Sequence, residues 1–129
     1  FITSPDSPWT DLGYSLDGIN GAPHLHGAGP LTVGSAGLLD LTNAKGSVLA
    51  ILFTSIFNSP TPFKGGTLVP VPVLSQLPLF TIPSGAMPLS WPSWPAGLAG
   101  VTLYFQYGVL DPAAVAGVAL SNALAGVNS

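Results

Sequence analysis

Short apolar runs alternate with proline and glycine along the chain, and these breakers recur about every eight to twelve residues. β-Branched and aromatic residues dominate the runs, and no segment of helical length carries an uninterrupted helical stripe. The pattern predicts an all-β fold, a single antiparallel β-sandwich of jelly-roll-like form with about eight to nine short strands over residues 9–129, preceded by an extended N-terminal arm, residues 1–8. The predicted strands are 9–16, 23–28, 37–42, 47–57, 67–71, 77–82, 87–91, 101–110 and 117–123.

The run VLAILFTSIF, residues 48–57, is apolar on both of its faces. As a helix it would be about 15 Å long, and a bilayer core is about 30 Å thick, so it predicts a strand and no membrane span. Since β-strand side chains alternate between faces, neither face of this strand is suited to water. One face carries Val48, Ala50, Leu52, Thr54 and Ile56, and the other carries Leu49, Ile51, Phe53, Ser55 and Phe57. Loops, the N-terminal arm or another subunit must therefore cover the second face.

The clearest alternating strand is VTLYFQYGVL, residues 101–110. Its alternation predicts a central strand with one set of side chains in the core: Val101, Leu103, Phe105, Tyr107 and Val109. In VPVPVL, residues 69–74, Pro70 and Pro72 lack the backbone donors of a central strand. This segment therefore predicts a sheet edge or an extended connection.

Charged residues make up 5% of the chain, and Lys45 and Lys64 are its two cations. Two lysines without arginine cannot neutralise a phosphate backbone or hold an anionic membrane surface, so nucleic acid is not a predicted partner. The chain has no cysteine, which removes disulfides and thiolate zinc sites. So few charges also give little repulsion between copies of the protein.

Candidate metal ligands are sparse. His24 and His26 would share one face of a strand and need a third ligand, so exposed strand histidines are the favoured interpretation. Asp6, Asp11 and Asp17 lie close in sequence but lack the spacing of a calcium loop, and turn-forming aspartates are favoured. We expect no metal and no cofactor.

Catalytic motifs are missing from the sequence. GSAG, residues 34–37, has the wrong spacing for a nucleophile elbow, and the chain has neither cysteine nor glutamate. A glycosidase needs two opposed carboxylates, which could only be chosen arbitrarily among the aspartates. The sequence therefore predicts a protein that is not an enzyme.

The segment SWPSWPAG, residues 90–97, places two tryptophans among prolines. Exposed indoles could stack on a sugar ring, with Tyr104 as an additional contact. The alternative is that Trp91 and Trp94 fold back over one end of the sandwich.

Several short motifs occur in order over residues 8–126: P-W-x-D-L-G, G-x-P-x-L-x-G-x-G, PF-x-GG-x-L-x-P-x-P, W-P-x-G, L-Y-x-Q-x-x-x-x-D-P and S-N-A-L. Together they resemble a module at the C-terminal ends of large secreted proteins of planctomycetes and related bacteria. The resemblance implies a β-sandwich and a secreted or cell-surface location, and it implies no catalytic residues.

Two functions follow from these observations. The first is a non-catalytic extracellular structural or interaction module that associates with copies of itself into an oligomer or fibre. Its predicted interface is Phe1, Ile2, Leu49, Ile51, Phe53 and Phe57. The alternative is a glycan-binding module that contacts cell-surface polysaccharide through Trp91, Trp94 and Tyr104.

Overall fold

The computed structural model describes residues 8–128 and is all-β, with antiparallel sheets that pack together as a β-sandwich. Eleven strands are present in this part of the chain. They are β1 (Trp9–Gly13), β2 (His24–Ala28), β3 (Gly37–Thr42), β4 (Leu49–Ser55), β5 (Thr61–Phe63), β6 (Gly66–Leu68), β7 (Ser75–Phe80), β8 (Met87–Trp91), β9 (Thr102–Leu110), β10 (Val118–Leu120) and β11 (Ala123–Val127).

The strands form two unequal layers and one hairpin. The six-stranded sheet has the order β1-β11-β9-β4-β7, with β10 paired to β9 beyond the end of β11. The second sheet has the order β2-β3-β8, and β5 and β6 pair with each other alone. Every ladder between named strands is antiparallel.

The core lies between the two sheets. Side chains from alternate positions of β4 and β9 meet those of β2 and β3, because successive strand residues point to opposite faces. This inner face of the six-stranded sheet includes Ala50, Leu52, Phe105, Tyr107, Val109 and Leu124, and the facing sheet contributes Leu25, Leu39 and Leu41.

Prediction and structure agree most closely where strands end at turns. The 37–42 and 87–91 predictions match β3 and β8 in both bounds. The predicted strand 9–16 ends at Gly13, because two successive positive φ angles, 79° at Gly13 and 68° at Tyr14, turn the chain out of the extended conformation. The predicted strand 47–57 is shorter for the same reason at Ser47, where φ is 55°, and its last residue in the sheet is Ser55.

The predicted strand 67–71 was wrong in its second half. β6 ends at Leu68, because the Val69 N–H donates to the side chain of Gln106 at 2.9 Å and Pro70 follows. Residues 69–71 are a connection outside the sheets, which the prolines predicted. The connection is not extended, because the Val71 N–H donates to the Val69 carbonyl at 2.8 Å in a tight turn. The short partner strand β5 was missed, since its three residues carry no alternation that a sequence can show.

The predicted strand 117–123 is two strands separated by a bulge. Leu120 pairs with Gly108 and Leu124 pairs with Phe105, so four steps along this chain oppose three along β9. The extra residue lies at Ser121 and Asn122 and turns the chain toward the second sheet. After it, β11 runs from Ala123 to Val127, beyond the predicted end at residue 123.

Buried polar side chains fasten the layers together. Asn122 pairs with the β2 backbone, accepting from the Leu25 N–H at 2.6 Å and donating to the Leu25 carbonyl at 2.9 Å. Asp111 accepts from the N–H groups of Ile19 at 2.7 Å and Ala113 at 2.9 Å. Each of these side chains makes the hydrogen bonds to backbone N–H or C=O groups that water would otherwise make, because buried polar groups need a hydrogen-bond partner.

The hairpin β5–β6 makes a third layer over the outer face of the six-stranded sheet. Phe63 of β5 meets Phe53 of β4 edge to face, with ring centroids 6.0 Å apart. Gln106, on the same outer face, donates to the Thr67 carbonyl at 3.1 Å and accepts from Val69. The strand 101–110 is therefore buried on both faces in its second half, where the alternation predicted only one buried face.

Candidate functional site

The outer face of the six-stranded sheet carries an apolar row that crosses four strands. Leu49 of β4 lies opposite Phe80 of β7 in the register. The β4–β9 ladder begins with Ala50 opposite Val109, so the same register continued by one residue brings Leu49 toward Leu110. Leu110 itself pairs with Val118 of β10. Paired residues in an antiparallel ladder share one face. We call Phe80, Leu49, Leu110 and Val118 the outer row.

The outer row is accessible to water. Phe80 is 70% exposed and Leu110 is 47% exposed, while Leu49 and Val118 are half-buried. The next positions on this face of β4 and β7 are Ile51 and Pro78, also apolar. None of these side chains can carry charge, so no repulsion opposes contact with another apolar surface.

β7 is the end strand of its sheet, and within residues 8–128 no strand pairs beyond it. The Thr81 N–H donates to the Val48 carbonyl at 2.9 Å, which fixes the alternation of the ladder and turns the nitrogen of Pro78 away from β4. Pro78 therefore faces the free edge without an N–H to donate. A strand added at this edge would lose a hydrogen bond, so the apolar face is better suited to association than the edge.

The residues predicted as the interface have different surroundings. Leu49 and Ile51 are half-buried on the accessible part of the outer face, and Phe57, beyond the end of β4, is 47% exposed. Phe53 is only 7% exposed because Phe63 covers it. Phe1 and Ile2 lie outside the described residues.

The sequence did not identify Phe80, Leu110 and Val118 as members of this surface. Alternation within 77–82 and 101–110 does place Phe80 and Leu110 on the faces opposite Leu79 and Val109. Which of these faces is covered, however, depends on pairing between strands that are 20 or more residues apart in sequence. That pairing is a tertiary property without a local sequence signal.

Trp91 and Trp94 lie side by side, with ring centroids 5.0 Å apart, and Trp91 also contacts Trp9 at 6.4 Å. Both predicted sugar-binding indoles are half-buried. A Cβ at Gly37 would collide with the Trp91 ring, so this indole packs directly on the β3 backbone. The Trp94 Nε1–H donates to Asn128 Oδ1 at 2.5 Å.

Tyr104 does not join these indoles. It precedes Phe105, whose ring contacts Trp9 at 6.0 Å inside the sandwich. Because neighbouring strand residues point to opposite faces, Tyr104 lies on the outer face of the six-stranded sheet. The three residues predicted to bind glycan therefore divide between two sides of the protein.

His24 and His26 are exposed on β2, on either side of buried Leu25. In the described part of the chain no group of three His, Cys, Asp or Glu side chains is arranged to hold a metal ion. Asp11 accepts from the Gly13 N–H at 2.8 Å, which is the turn-forming role expected for it. Asp17 is exposed, and Asp6 lies outside the described residues.

Tyr107 carries the clearest electrostatic perturbation. Its side chain is fully buried in the core, and its hydroxyl has no hydrogen-bond partner among the described residues. Burial raises the pKa of Tyr107 from 10.0 to about 12, because the phenolate would lose its hydration. The Tyr107 backbone N–H is satisfied by Ser121 Oγ at 2.9 Å.

Residues 8–128 contain no helix that is long and apolar enough to cross a bilayer.

No protein-family model matches the chain, and no curated protein or solved structure matches it. The resemblance to the planctomycete module therefore stays a prediction.

Proposed function

We propose that the protein is a non-catalytic structural or interaction module that associates with copies of itself through the outer face of its six-stranded sheet. The observation that carries the proposal is the outer row. An aromatic side chain that is 70% exposed, Phe80, is continuous with three aliphatic neighbours on adjacent strands. Contiguous exposed apolar surface of this kind marks interaction sites.

The energetics are suited to self-association. Removing one large apolar side chain from water contributes roughly 1.5–3 kcal/mol, which makes Phe80 the expected hot spot. The chain has a formal net charge of −3, so repulsion between copies is weak. Pro78 disfavours pairing at the edge of β7, and this directs copies toward contact between faces.

A non-catalytic role is supported by the use of the buried polar side chains. Gln106, Asp111, Ser121 and Asn122 are committed to backbone groups of neighbouring segments. They act as architectural hydrogen-bonding groups, and the motifs L-Y-x-Q-x-x-x-x-D-P and S-N-A-L contain all four. The extracellular or cell-surface location in the proposal rests on the resemblance of those motifs.

The alternative proposal is glycan binding at Trp91, Trp94 and Tyr104. It has weaker support because the two indoles pack on one another while Tyr104 lies on a different face. A glycan array with Trp94→Ala as the control variant would test it directly.

Sedimentation equilibrium at neutral pH tests self-association, using the full chain and the variant Phe80→Lys. We expect the full chain to associate at micromolar concentrations and Phe80→Lys to shift toward the monomer. Val33→Lys is the matched control, since Val33 is 61% exposed on a different surface and the added charge is the same. A full chain that stays monomeric at high micromolar concentration would refute the proposal, and so would equal effects of the two lysines.

A further inference from the structure

The outer face of the three-stranded sheet carries both histidines of the chain. His24 and His26 are exposed on β2, and Leu25 between them belongs to the core on the other face. In the ladder with β3, His26 lies directly opposite Asp40. Because paired residues share one face of a sheet, the two imidazoles and the Asp40 carboxylate lie together on the outer face.

These three side chains have unused polar atoms. Neither imidazole makes a hydrogen bond or an ion pair within residues 8–128, and neither does the half-buried Asp40 carboxylate. A neutral imidazole has one ring nitrogen with a free lone pair, which is the group that binds transition-metal ions. The net charge of −3 and the carboxylate of Asp40 beside His26 favour a cation at this place.

The spacing of the two imidazoles suits one metal ion. Residues two positions apart on a strand are about 7 Å apart. Two nitrogens bound to the same tetrahedral zinc ion, at about 2.0–2.1 Å each, are about 3.4 Å from each other. Each imidazole therefore has to lean toward the other by less than about 2 Å, which rotation about its side-chain bonds allows.

The backbone of β2 holds this spacing in place. One edge of β2 pairs with β3 over all five of its residues. At the other edge, Asn122 accepts from the Leu25 N–H at 2.6 Å and donates to the Leu25 carbonyl at 2.9 Å. The strand is fixed on both edges between the two histidines, so the site needs little ordering when an ion binds.

One chain supplies only part of a zinc site. No three His, Cys, Asp or Glu side chains of the described residues are arranged to hold a metal ion, whereas structural zinc sites have four protein ligands. A second copy related by a two-fold axis through the ion would bring the same two imidazoles and complete the set. The surrounding face is open to such a copy, because its other exposed side chains are uncharged, namely Thr42, Pro88 and Ser90.

We infer that His24 and His26 of two copies bind one Zn²⁺ ion between them and so join the outer faces of their three-stranded sheets. The Asp40 carboxylate of each copy offsets part of the charge of the ion. This interface lies on the opposite side of the sandwich from the outer row and does not depend on it. Where the outer row also associates, which rests on the proposed function, each copy has a neighbour on both sides and the copies extend into a fibre.

The test follows the mass of the Phe80→Lys chain, whose outer row is disrupted, by sedimentation equilibrium with EDTA, with Zn²⁺ and with Mg²⁺. We expect Zn²⁺ to convert this chain into a dimer at one ion for two chains, and EDTA to reverse the change. Mg²⁺ should have no effect, because it prefers oxygen ligands. Titration calorimetry with ZnCl₂ measures the number of ions bound per chain.

Histidine variants in the same Phe80→Lys background locate the site. His24→Gln and His26→Gln should each weaken the zinc-dependent dimer at least about tenfold, since each removes two of its four ligands and even the loss of a ligand's hydrogen-bond partner costs about 10–100-fold in metal affinity. Asp17→Asn is the control, because it removes an exposed carboxylate outside the three-stranded sheet and should leave the dimer unchanged.

The inference is overturned if Zn²⁺ leaves the mass unchanged, or if one ion binds per chain without dimerisation. It is also overturned if the histidine variants dimerise as well as the Asp17→Asn chain, or if Mg²⁺ acts like Zn²⁺. The zinc effect is read as a change of mass within one chain. Failure of the full chain to associate without zinc would therefore refute the outer row alone.

Discussion

The two halves of the outer face of β4 have similar side chains and different surroundings. Phe53, in the second half, is 7% exposed beneath the β5–β6 hairpin, and Ser55 on the same face donates to the Pro72 carbonyl at 2.7 Å. Leu49, in the first half, lies beside Phe80, which is 70% exposed. An apolar side chain thus indicates that its burial is favourable, but it does not indicate whether the chain itself or a partner buries it.

This difference assigns two roles to one strand. The covered half contributes to the stability of the monomer, because its apolar contacts form whenever the chain folds. The uncovered half contributes little to the monomer and is available to a partner. Substitutions in the two halves should therefore affect different measurements, namely the free energy of unfolding and the equilibrium of association.

The largest expected effect is that of Phe53→Ala in the covered half. Truncating a buried phenylalanine leaves a cavity and costs about 3–5 kcal/mol of the free energy of unfolding. Urea denaturation at a concentration where the chain is monomeric measures this cost. A loss below about 1 kcal/mol would show that the hairpin covers Phe53 only loosely, in contradiction to its burial.

The next effect is that of Gln106→Leu, which removes the attachment of the hairpin connection. The Val69 N–H and the Thr67 carbonyl lose their partners, and we expect a cost of about 2–3 kcal/mol. Hydrogen exchange should become faster in residues 66–69, and association should increase as Phe53 becomes accessible. Gln76→Leu is the matched control for the free energy of unfolding and for hydrogen exchange, because Gln76 is exposed on the same face. Equal effects of the two leucines would contradict the role given to Gln106.

The sequence predicted the strands well where local chemistry decides their ends. β3 and β8 were predicted to the residue, and the central position of β9 followed from its alternation. The covering of β4 could not be predicted, since it depends on a hairpin whose strands have three residues each. The alternation of residues 101–110 leaves Gln106 on the face opposite the predicted core side chains. Its burial there depends on the position of Val69, which the whole fold determines.

The candidate sites were less predictable than the strands. Leu49 and Ile51 could be named from their alternation, whereas Phe80 joined them only through the β4–β7 register. A pocket of about 170 Å³ is lined by residues of β1, β2 and β11, and nothing in the sequence indicates that Asp11 and His26 line the same cavity. A cavity lined by residues from strands of two different sheets leaves no local pattern in the sequence.

The inner face of the six-stranded sheet can be compared with the outer face through the pH dependence of the free energy of unfolding, which Tyr107 should affect. Its pKa is about 12 in the folded protein and 10.0 as the ordinary value, so the unfolded chain releases this proton first. The stabilising contribution is complete below pH 10 and is lost as the pH rises toward 12, by roughly 2–3 kcal/mol.

Tyr107→Phe should remove this loss and change the free energy of unfolding by less than about 1 kcal/mol at pH 7, since no described partner is left unsatisfied. Denaturation curves at pH 8 and pH 11.5 measure the difference. Tyr14→Phe is the control, because Tyr14 is 51% exposed. If both variants show the same alkaline profile, Tyr107 is not the buried titrating group.

The smallest expected effect on the monomer is that of Phe80→Ala in the uncovered half. A side chain that is 70% exposed gains little on folding, so the free energy of unfolding should change by less than about 0.5 kcal/mol. Association should weaken roughly tenfold, because burial of one aromatic ring contributes more than about 1.4 kcal/mol when a partner covers it.

Sedimentation at about 0.1 M and 0.5 M salt should give the same association constant for the full chain, since the outer row has no charge to screen. Phe53→Ala and Phe80→Ala would then have opposite profiles, one affecting folding and the other association. A Phe80→Ala chain that is destabilised as much as Phe53→Ala would mean that the first half of β4 is already covered within the monomer.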